Sequence, residues 1–192
     1  QPAIVTANGI RIAFVGASYS SLNDLGVARN PNVARIEDHD RLRRALAGLH
    51  ARADFVVVTL HAGNEYTHKP NQAQIAFAHA AVDAGADLVV GAHSHWVQAF
   101  DSYKGKPVFY GLGNFVFDQD WSRETTQGLA LRIRLAKLPG AGSATLERIE
   151  LLPVVIEHAS TPRPANEREG QAILHAAGLD VLEGVVGGRR GT

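Results

Sequence analysis

The pattern of apolar and polar positions predicts a chain of alternating strands and helices. Residues 54–60 (DFVVVTL) are apolar almost throughout, which is typical of a strand that is buried on both faces. Residues 88–90 form a second, shorter apolar run, and the alanine-rich residues 71–84 between the two runs predict a helix that Gly85 ends. A helix that joins two buried strands favours a right-handed crossover, so we expect the two strands to be parallel neighbours.

Further elements are predicted on either side of this unit. Residues 9–15 predict a strand, and a loop rich in serine, asparagine and glycine follows it. Asp40 is a candidate N-cap for an amphipathic helix with a stripe of apolar positions over residues 42–49. Residues 107–110 and 114–117 predict one or two additional strands.

The C-terminal third predicts an antiparallel hairpin, formed by residues 128–138 and 146–156. In the first of these segments leucine and isoleucine alternate with arginine, which favours one buried and one solvated face. A short helix near residues 171–177 and a glycine-rich tail follow. Taken together, the elements predict an α/β fold.

The composition narrows the kinds of function that the chain can serve. An apolar fraction of 45% and a charged fraction of 20% are typical of a globular domain. The net charge is zero, so there is no basic surplus of the kind that favours nucleic-acid binding. The longest apolar runs are too short to cross a bilayer, and no signal peptide is visible. The chain begins with glutamine rather than methionine, and we interpret it as part of a longer protein.

Three histidines lie where predicted strands end, and they are candidates for a metal site. His61 directly follows the run 54–60, and His93 and His95 follow the run 88–90. Loops at the carboxyl ends of parallel strands converge at one edge of a sheet, so we expect these imidazoles to lie close together. The chain has no cysteine, which leaves imidazole, carboxylate and amide groups as metal ligands. Spacing alone leaves open whether the three bind metal or are ordinary half-buried residues. We expect ordinary roles for the other histidines, which are His39, His50, His68, His79, His158 and His175.

Three longer motifs resemble a known family. They are VVVTLHAGNEYTHKPNQAQ (residues 56–74), DAGADLVVGAHSHWVQ (83–98) and YKGKPVFYGLGNFVFDQ (103–119). In order and spacing they resemble the CapA family of poly-γ-glutamate and capsule synthesis proteins, which is part of the calcineurin-like metallophosphatase superfamily. The resemblance extends over about residues 8–165 and does not include the tail.

The resemblance implies a fold. We expect the C-terminal part of a metallophosphatase-like α/β/β/α sandwich, in which two sheets stack face to face with helices outside, and a C-terminal antiparallel hairpin. Residues 1–165 would form the C-terminal portion of the CapA-like domain. Residues 166–192 would form a C-terminal helix and a glycine-rich tail.

The resemblance also implies a site. His61, His93 and His95 would be ligands of divalent metal ions, two in the full-length protein and of the Mn, Fe or Zn type. The family's earlier motifs, which supply aspartates and an Asn-His pair, are not found before His61, so this chain would carry the second half of the site. Glu65 and Asn114 are candidate catalytic residues. Glu65 would orient an imidazole or contact substrate, and Asn114 would present its amide to an anion; a solvated loop acid and a simple turn are the alternatives.

The implied function is a divalent-metal-dependent, phosphoesterase-like hydrolase in poly-γ-glutamate or capsule synthesis. Its substrate would be a phosphoester or an anionic polymer, and the synthesis machinery is an expected partner. A non-catalytic, metal-binding accessory of polymer assembly or export at the cell surface is the alternative. The resemblance implies a location at the cell surface or membrane, although we expect no nucleic-acid or membrane contact from this segment.

Overall fold

The computed structural model describes residues 2–19 and 34–179, and six strands in these residues form the larger sheet. Their order in the sheet is β1, β2, β3, β4, β6, β5. Strands β2, β3, β4 and β6 are parallel, whereas β1 and β5 pair antiparallel at the two edges. The strands are β1 (Ala3–Ala7), β2 (Ile10–Ser18), β3 (Phe55–His61), β4 (Leu88–Ala92), β5 (Phe100–Tyr103) and β6 (Lys106–Phe109).

The smaller sheet contains the predicted hairpin. Strands β7 (Gln127–Ala136) and β8 (Thr145–Glu157) are antiparallel, and β9 (Thr161–Pro164) adds a third antiparallel strand that the sequence pattern does not predict. Along β7, Arg132 and Arg134 are exposed, and the alternating apolar residues Leu131, Ile133 and Leu135 pack toward the interior. The hairpin and its two-faced character are therefore confirmed.

The described residues also form three α-helices, α1 (His39–Leu46), α2 (Gln72–Asp83) and α3 (Glu167–Ala176), and a short 3-10 helix (Leu49–Ala51). Asn71 caps α2 in a capping box, in which its side chain and that of Gln74 each accept a hydrogen bond from the other's main-chain amide. The predicted cap of α1 is wrong by two residues. Asp38 accepts from the amide of Arg41, and Asp40 lies in the first turn, where a carboxylate still favours the helix dipole.

The continuous apolar run of β3 is explained by packing on both faces of the larger sheet. On one face Val56, Val58 and Leu60 pack in a core with Phe77 of α2. On the other face Phe55 and Val57 pack against the smaller sheet, in a cluster that includes Ile149 of β8. The two sheets are therefore stacked face to face, with α1 and α2 outside the larger one. Helix α3 contacts β8, and its Ile173 joins a third buried cluster with Leu129 and Val97.

The prediction for the two strands that precede the histidines is confirmed. Strands β3 and β4 are parallel neighbours, and α2 connects them. Both are largely buried, and their exposed residues lie at or near the carboxyl ends: Thr59 and His61 in β3, and Ala92 in β4.

Other predictions need correction. Residues 114–117 lie in a loop rather than a strand, because three of these four side chains are exposed and the main chain pairs only through isolated bridges before them. The strand predicted over residues 9–15 continues to Ser18, and strands β1 and β5 were not predicted. Most of the loop after that strand, and the glycine-rich tail, lie outside the described residues.

Candidate functional site

Three parallel strands end side by side and bring three aromatic side chains to one edge of the larger sheet. In the register of the sheet, Ser18 of β2 pairs with His61 of β3, and His61 pairs with Ala92 of β4. The next residues after β2 and β4 are Tyr19 and His93. This edge is the carboxyl end of the parallel strands, where ligand sites of open α/β sheets form.

The three predicted histidines lie next to one another at this edge. The ring centroids of His61 and His93 are 4.9 Å apart, and those of His93 and His95 are 6.3 Å apart. The ring of Tyr19 lies 4.6 Å from that of His93. The expected convergence of the imidazoles is therefore confirmed, whereas their role as metal ligands stays a prediction.

The turn that carries His93 and His95 has an unusual backbone. Both residues have positive φ angles, +102° and +57°, which are uncommon for residues other than glycine and are often found at functional sites. The turn is held by the buried Ser94, whose hydroxyl donates to the carbonyl oxygen of Trp96 at 2.7 Å. The main-chain amide of Tyr66 donates to the carbonyl oxygen of Ser94 at 2.9 Å, which fixes the two loops of the site to each other.

Asn114 orients the imidazole of His95. Its side-chain amide nitrogen donates to the carbonyl oxygen of Thr125 at 2.9 Å, so its Oδ1 atom is the group that faces His95. Oδ1 lies 2.9 Å from Nδ1 of His95 and can only accept, which places the proton of His95 on Nδ1 and leaves Nε2 with a free lone pair. Metal-binding histidines usually have this kind of partner on the second ring nitrogen. Asn114 thus acts through His95, and the rings of Tyr66 and Phe117 lie against the same imidazole.

Glu65 faces the two histidines of the turn. Its Oε1 atom is 3.9 Å from Nε2 of His93 and 3.9 Å from Nε2 of His95, which is too long for a direct hydrogen bond. Its side chain is 43% exposed, compared with 10% for His93. The carboxylate is therefore accessible and lies close to the nitrogen of His95 that carries the free lone pair.

Desolvation favours the neutral form of two of the imidazoles. It lowers the pKa of His61, and a charge on His95 would lower it further. Burial also lowers the pKa of His93, with a contribution from neighbouring His61 that outweighs the opposing effect of Glu65. Neutral imidazole is the form that binds metal ions.

The donor groups of this edge fit a divalent metal in chemistry and in part in spacing. In the described ranges 2–19 and 34–179, no group of three or more His, Asp or Glu side chains is arranged to hold an ion on its own. For a metal–nitrogen bond of about 2 Å, two imidazoles on one tetrahedral ion have ring centroids about 5 Å apart. The pair of His61 and His93 meets this distance, whereas the ring centroids of His93 and His95, 6.3 Å apart, exceed it.

Two parts of the site were missed by the sequence pattern. Tyr19 was missed because the first predicted strand was ended at Val15, although the small residues up to Ser18 continue it. The buried amides of Gln74 and Gln98 were also missed. Gln74 donates to Gln98 at 2.8 Å, and Gln98 donates to carbonyl oxygens of the loop that carries Glu65. A polar residue in the buried stripe of a helix is the signal that could have indicated Gln74.

Three other histidines have structural partners elsewhere. His50 contacts the carbonyl oxygen of Gly85, His68 that of Val97, and His79 the carboxylate of Asp101. These contacts agree with the ordinary roles expected for them. Over residues 2–19 and 34–179, the helices are too short or too polar to cross a membrane.

One solved structure shows the fold class. The sulfate thiohydrolase SoxB of Thermus thermophilus superposes with a TM-score of 0.52 over 92% of this chain and 28% of its own, at 21% sequence identity. SoxB is metallophosphatase-like, and the match shows that this chain has the corresponding α/β fold.

Curated relatives cover most of the chain. The capsule biosynthesis protein CapA of Bacillus anthracis is 38% identical over 165 residues, which are 82% of this chain and 37% of that protein. The PGA biosynthesis protein CapA of Bacillus subtilis is 37% identical over 162 residues, 83% of this chain and 40% of that protein. A probable polyglutamine synthesis accessory protein of Mycobacterium tuberculosis is 30% identical over 112 residues, which are 57% of this chain and 29% of that protein.

The chain thus spans about two fifths of the length of the Bacillus relatives that it matches. Residues 1–119 match the family described as bacterial capsule synthesis protein PGA_cap. That match includes the strand ends at which His61, His93 and His95 lie, as well as Glu65 and Asn114. On the strength of this match and of the two CapA proteins, the chain belongs to the bacterial capsule synthesis protein PGA_cap family.

Proposed function

We propose that this chain contributes metal ligands to a hydrolase site in a protein of poly-γ-glutamate or capsule synthesis. The observation that carries the proposal is the pair of imidazoles of His61 and His93, whose ring centroids lie 4.9 Å apart at the carboxyl ends of β3 and β4. Together with His95 they would hold divalent ions of the Mn, Fe or Zn type. The substrate would be a phosphoester, or an amide bond of an anionic polymer.

The residues of the chain would have separate roles in such a site. His61 and His93 would bind one ion through ring nitrogens, and Asn114 keeps the free nitrogen of His95 available for a second. Bound divalent ions would supply Lewis acidity toward an anionic oxygen and toward water. Glu65 would orient the water or the leaving group, since its carboxylate is accessible and faces both histidines of the turn.

The polymer-synthesis part of the proposal is supported by the relatives. Two of them carry CapA names that refer to capsule and to PGA biosynthesis. Since the chain spans only part of these proteins, we expect the site to need residues from outside it. Aspartates from an N-terminal extension would offset the repulsion between two dications, which three neutral imidazoles leave uncompensated.

A second candidate function is a non-catalytic accessory that binds metal and assists polymer assembly or export. The Mycobacterium tuberculosis relative, named as a probable polyglutamine synthesis accessory protein, favours this alternative. In that case the metal would serve structure or polymer binding. The two candidates differ in turnover, not in metal binding.

Isothermal titration with Mn²⁺ and Zn²⁺ tests the metal site, and hydrolysis of bis(p-nitrophenyl) phosphate tests the activity. Both are measured on this chain and on a version extended at its N-terminus to the length of its relatives. We expect weak binding and little hydrolysis by the chain alone, and more of both in the extended version. His61→Ala and His93→Ala should abolish binding, whereas His79→Ala, which removes an imidazole with a partner elsewhere, should not.

Two results would count against parts of the proposal. Metal binding by the extended version that is insensitive to His61→Ala and His93→Ala would refute the site. Tight binding without turnover of either phosphoesters or poly-γ-glutamate would favour the accessory function over the hydrolase.

A further inference from the structure

Tyr19 lies at the candidate site but has no assigned role. It follows β2 directly, and its ring lies 4.6 Å from that of His93 and 6.4 Å from that of His61. The rings of Tyr19 and His61 are nearly parallel, with an angle of 16° between their planes. The phenol ring therefore covers the side of the imidazole pair that faces β2.

The main chain holds Tyr19 firmly in this position. Its amide donates to the carbonyl oxygen of His61 at 3.1 Å, which links it to the end of the neighbouring strand. Its own carbonyl oxygen accepts from Nη1 of Arg35 at 2.8 Å. The amide of Ser18 also donates to the carbonyl oxygen of Ala34 at 2.8 Å. These bonds fix the main chain of Tyr19 at the carboxyl end of β2, from which its ring contacts the imidazoles.

The hydroxyl of Tyr19 differs from those of other tyrosines in the structure. It makes no hydrogen bond with any residue of the described ranges. By contrast, the hydroxyl of Tyr66, on the opposite side of the histidine turn, accepts from the side chain of Gln119 at 3.3 Å, and that of Tyr103 donates to Asp83 at 3.4 Å. A half-buried phenol that has no hydrogen-bond partner in residues 2–19 and 34–179, beside two imidazoles, is suited to bind a ligand.

We propose that Tyr19 binds the ligand of this site: its ring supports the imidazole of His93, and its hydroxyl donates a hydrogen bond to an anionic oxygen held at the His61–His93 pair. This role rests on the proposed function, because it requires the pair to bind a divalent ion. Tyr19 thereby favours a ligand with a phosphate-like or carboxylate-like oxygen over a neutral one. The two parts of the side chain have separate roles, which two variants can distinguish.

The test uses Tyr19→Phe and Tyr19→Leu. The matched control is Tyr103→Phe, in the outer strand β5 of the same sheet. Mn²⁺ affinity and the affinity of the Mn²⁺-loaded protein for inorganic phosphate are measured by titration calorimetry in the N-terminally extended version. For Tyr19→Phe we expect an unchanged melting temperature, Mn²⁺ affinity within about twofold of wild type, and phosphate affinity about tenfold weaker, as for one lost hydrogen bond. Tyr19→Leu should also weaken Mn²⁺ binding, since the His93 ring loses its support. Tyr103→Phe should change neither affinity.

Each remaining outcome decides one of the two proposals. If the wild-type protein binds Mn²⁺ and phosphate and Tyr19→Phe binds both equally well, the role of the Tyr19 hydroxyl is refuted and the proposed function stands. If wild type binds no Mn²⁺, the proposed function fails and the role of Tyr19 fails with it. Histidine side-chain NMR gives an independent check of the ring contact. Tyr19→Leu should shift the ring-proton resonances of His93 more than those of His95, and equal shifts would contradict the geometry.

Discussion

The Nδ1 atom of His95 lies 2.9 Å from the Oδ1 atom of Asn114, and this contact determines which nitrogen of His95 is free. The asparagine is nearly buried, and its amide is fixed by its hydrogen bond to the carbonyl oxygen of Thr125. The candidate site therefore depends on a residue outside the histidine turn. Asn114 comes from the loop after β6, in a segment whose sequence predicted a strand.

Replacing Asn114 tests this dependence. In Asn114→Ala the Nδ1 atom of His95 loses its acceptor, and we expect a mixture of imidazole tautomers and metal binding weaker by about 10- to 100-fold. Asn114→Asp keeps an acceptor oxygen for Nδ1 and should retain most of the metal affinity. Long-range ¹H–¹⁵N NMR of the histidine side chains measures the tautomers, and calorimetry measures the affinity. An unchanged tautomer in Asn114→Ala would show that another group orients His95.

Gly91 tests how tightly the strand before the turn is packed. A Cβ atom at this position would lie 1.9 Å from the carbonyl oxygen of Tyr110, so β4 or the chain beyond β6 would have to move. We expect Gly91→Ala to lower the free energy of unfolding by more than about 3 kcal/mol. Gly142→Ala is the control, because a Cβ atom there meets nothing within 4 Å, and its effect should stay within about 0.5 kcal/mol. Urea denaturation of both variants measures the difference; equal stabilities would contradict this packing.

The buried amide pair is predicted to hold the loop that carries Glu65. Gln98 is 1% exposed and donates to the carbonyl oxygens of Thr67 and Lys69, both at 3.2 Å, while it accepts from Gln74. Gln98→Leu leaves the two carbonyl oxygens and the buried amide of Gln74 without this partner. We expect a loss of about 2 kcal/mol or more in the free energy of unfolding.

In Gln98→Leu we also expect faster amide hydrogen exchange in the loop between β3 and α2, which hydrogen-exchange experiments measure. Gln72→Leu serves as the control, since Gln72 is exposed on the same helix as Gln74. Faster exchange confined to α2 in Gln98→Leu, with no change in the loop, would contradict the role of the pair.

Asp54 gives the fold a dependence on pH. Its carboxylate is fully buried and accepts hydrogen bonds from the main-chain amide and the side chain of Arg11. It also accepts a hydrogen bond from Lys137, and this bond connects the start of β3 to the end of β7. Hydrogen bonds from Arg11, and then from Lys137, hold the pKa of Asp54 well below its usual range. Because this pKa is lower in the folded than in the unfolded state, the contribution is complete above the unfolded pKa of about 4 and is lost as the pH falls further.

We therefore expect Asp54→Asn to lower the melting temperature at pH 7 and to make it less dependent on pH below about 4. Asp118→Asn is the control, since Asp118 is exposed and forms no hydrogen bond or ion pair within residues 2–19 and 34–179. Thermal unfolding between pH 3 and pH 7 measures both variants. Equal melting temperatures of wild type and Asp54→Asn at pH 7 would contradict the prediction.

The sequence by itself determined the elements that depend on local patterns. The apolar run at residues 54–60 predicted a strand that is buried on both faces. In the structure the helices cover one face and the smaller sheet covers the other. The helix after it predicted the parallel pairing with β4. The convergence of His61, His93 and His95 follows from the same argument, since parallel strands end at one edge. The family motifs then indicated the stacked-sheet fold, which the match to SoxB shows.

Only the tertiary structure decided which residues complete the site. Tyr19 lies 42 positions before His61 in the sequence, and it reaches the imidazoles because β2 pairs in register with β3. Asn114 is 19 positions from His95, in a loop that no periodic pattern positions. Such contacts depend on strand register and on turns with positive φ, as at His93, and both are set by packing between distant segments. Local hydrophobic periodicity carries no information about them, which is why the sequence indicated the histidines and the structure indicated their partners.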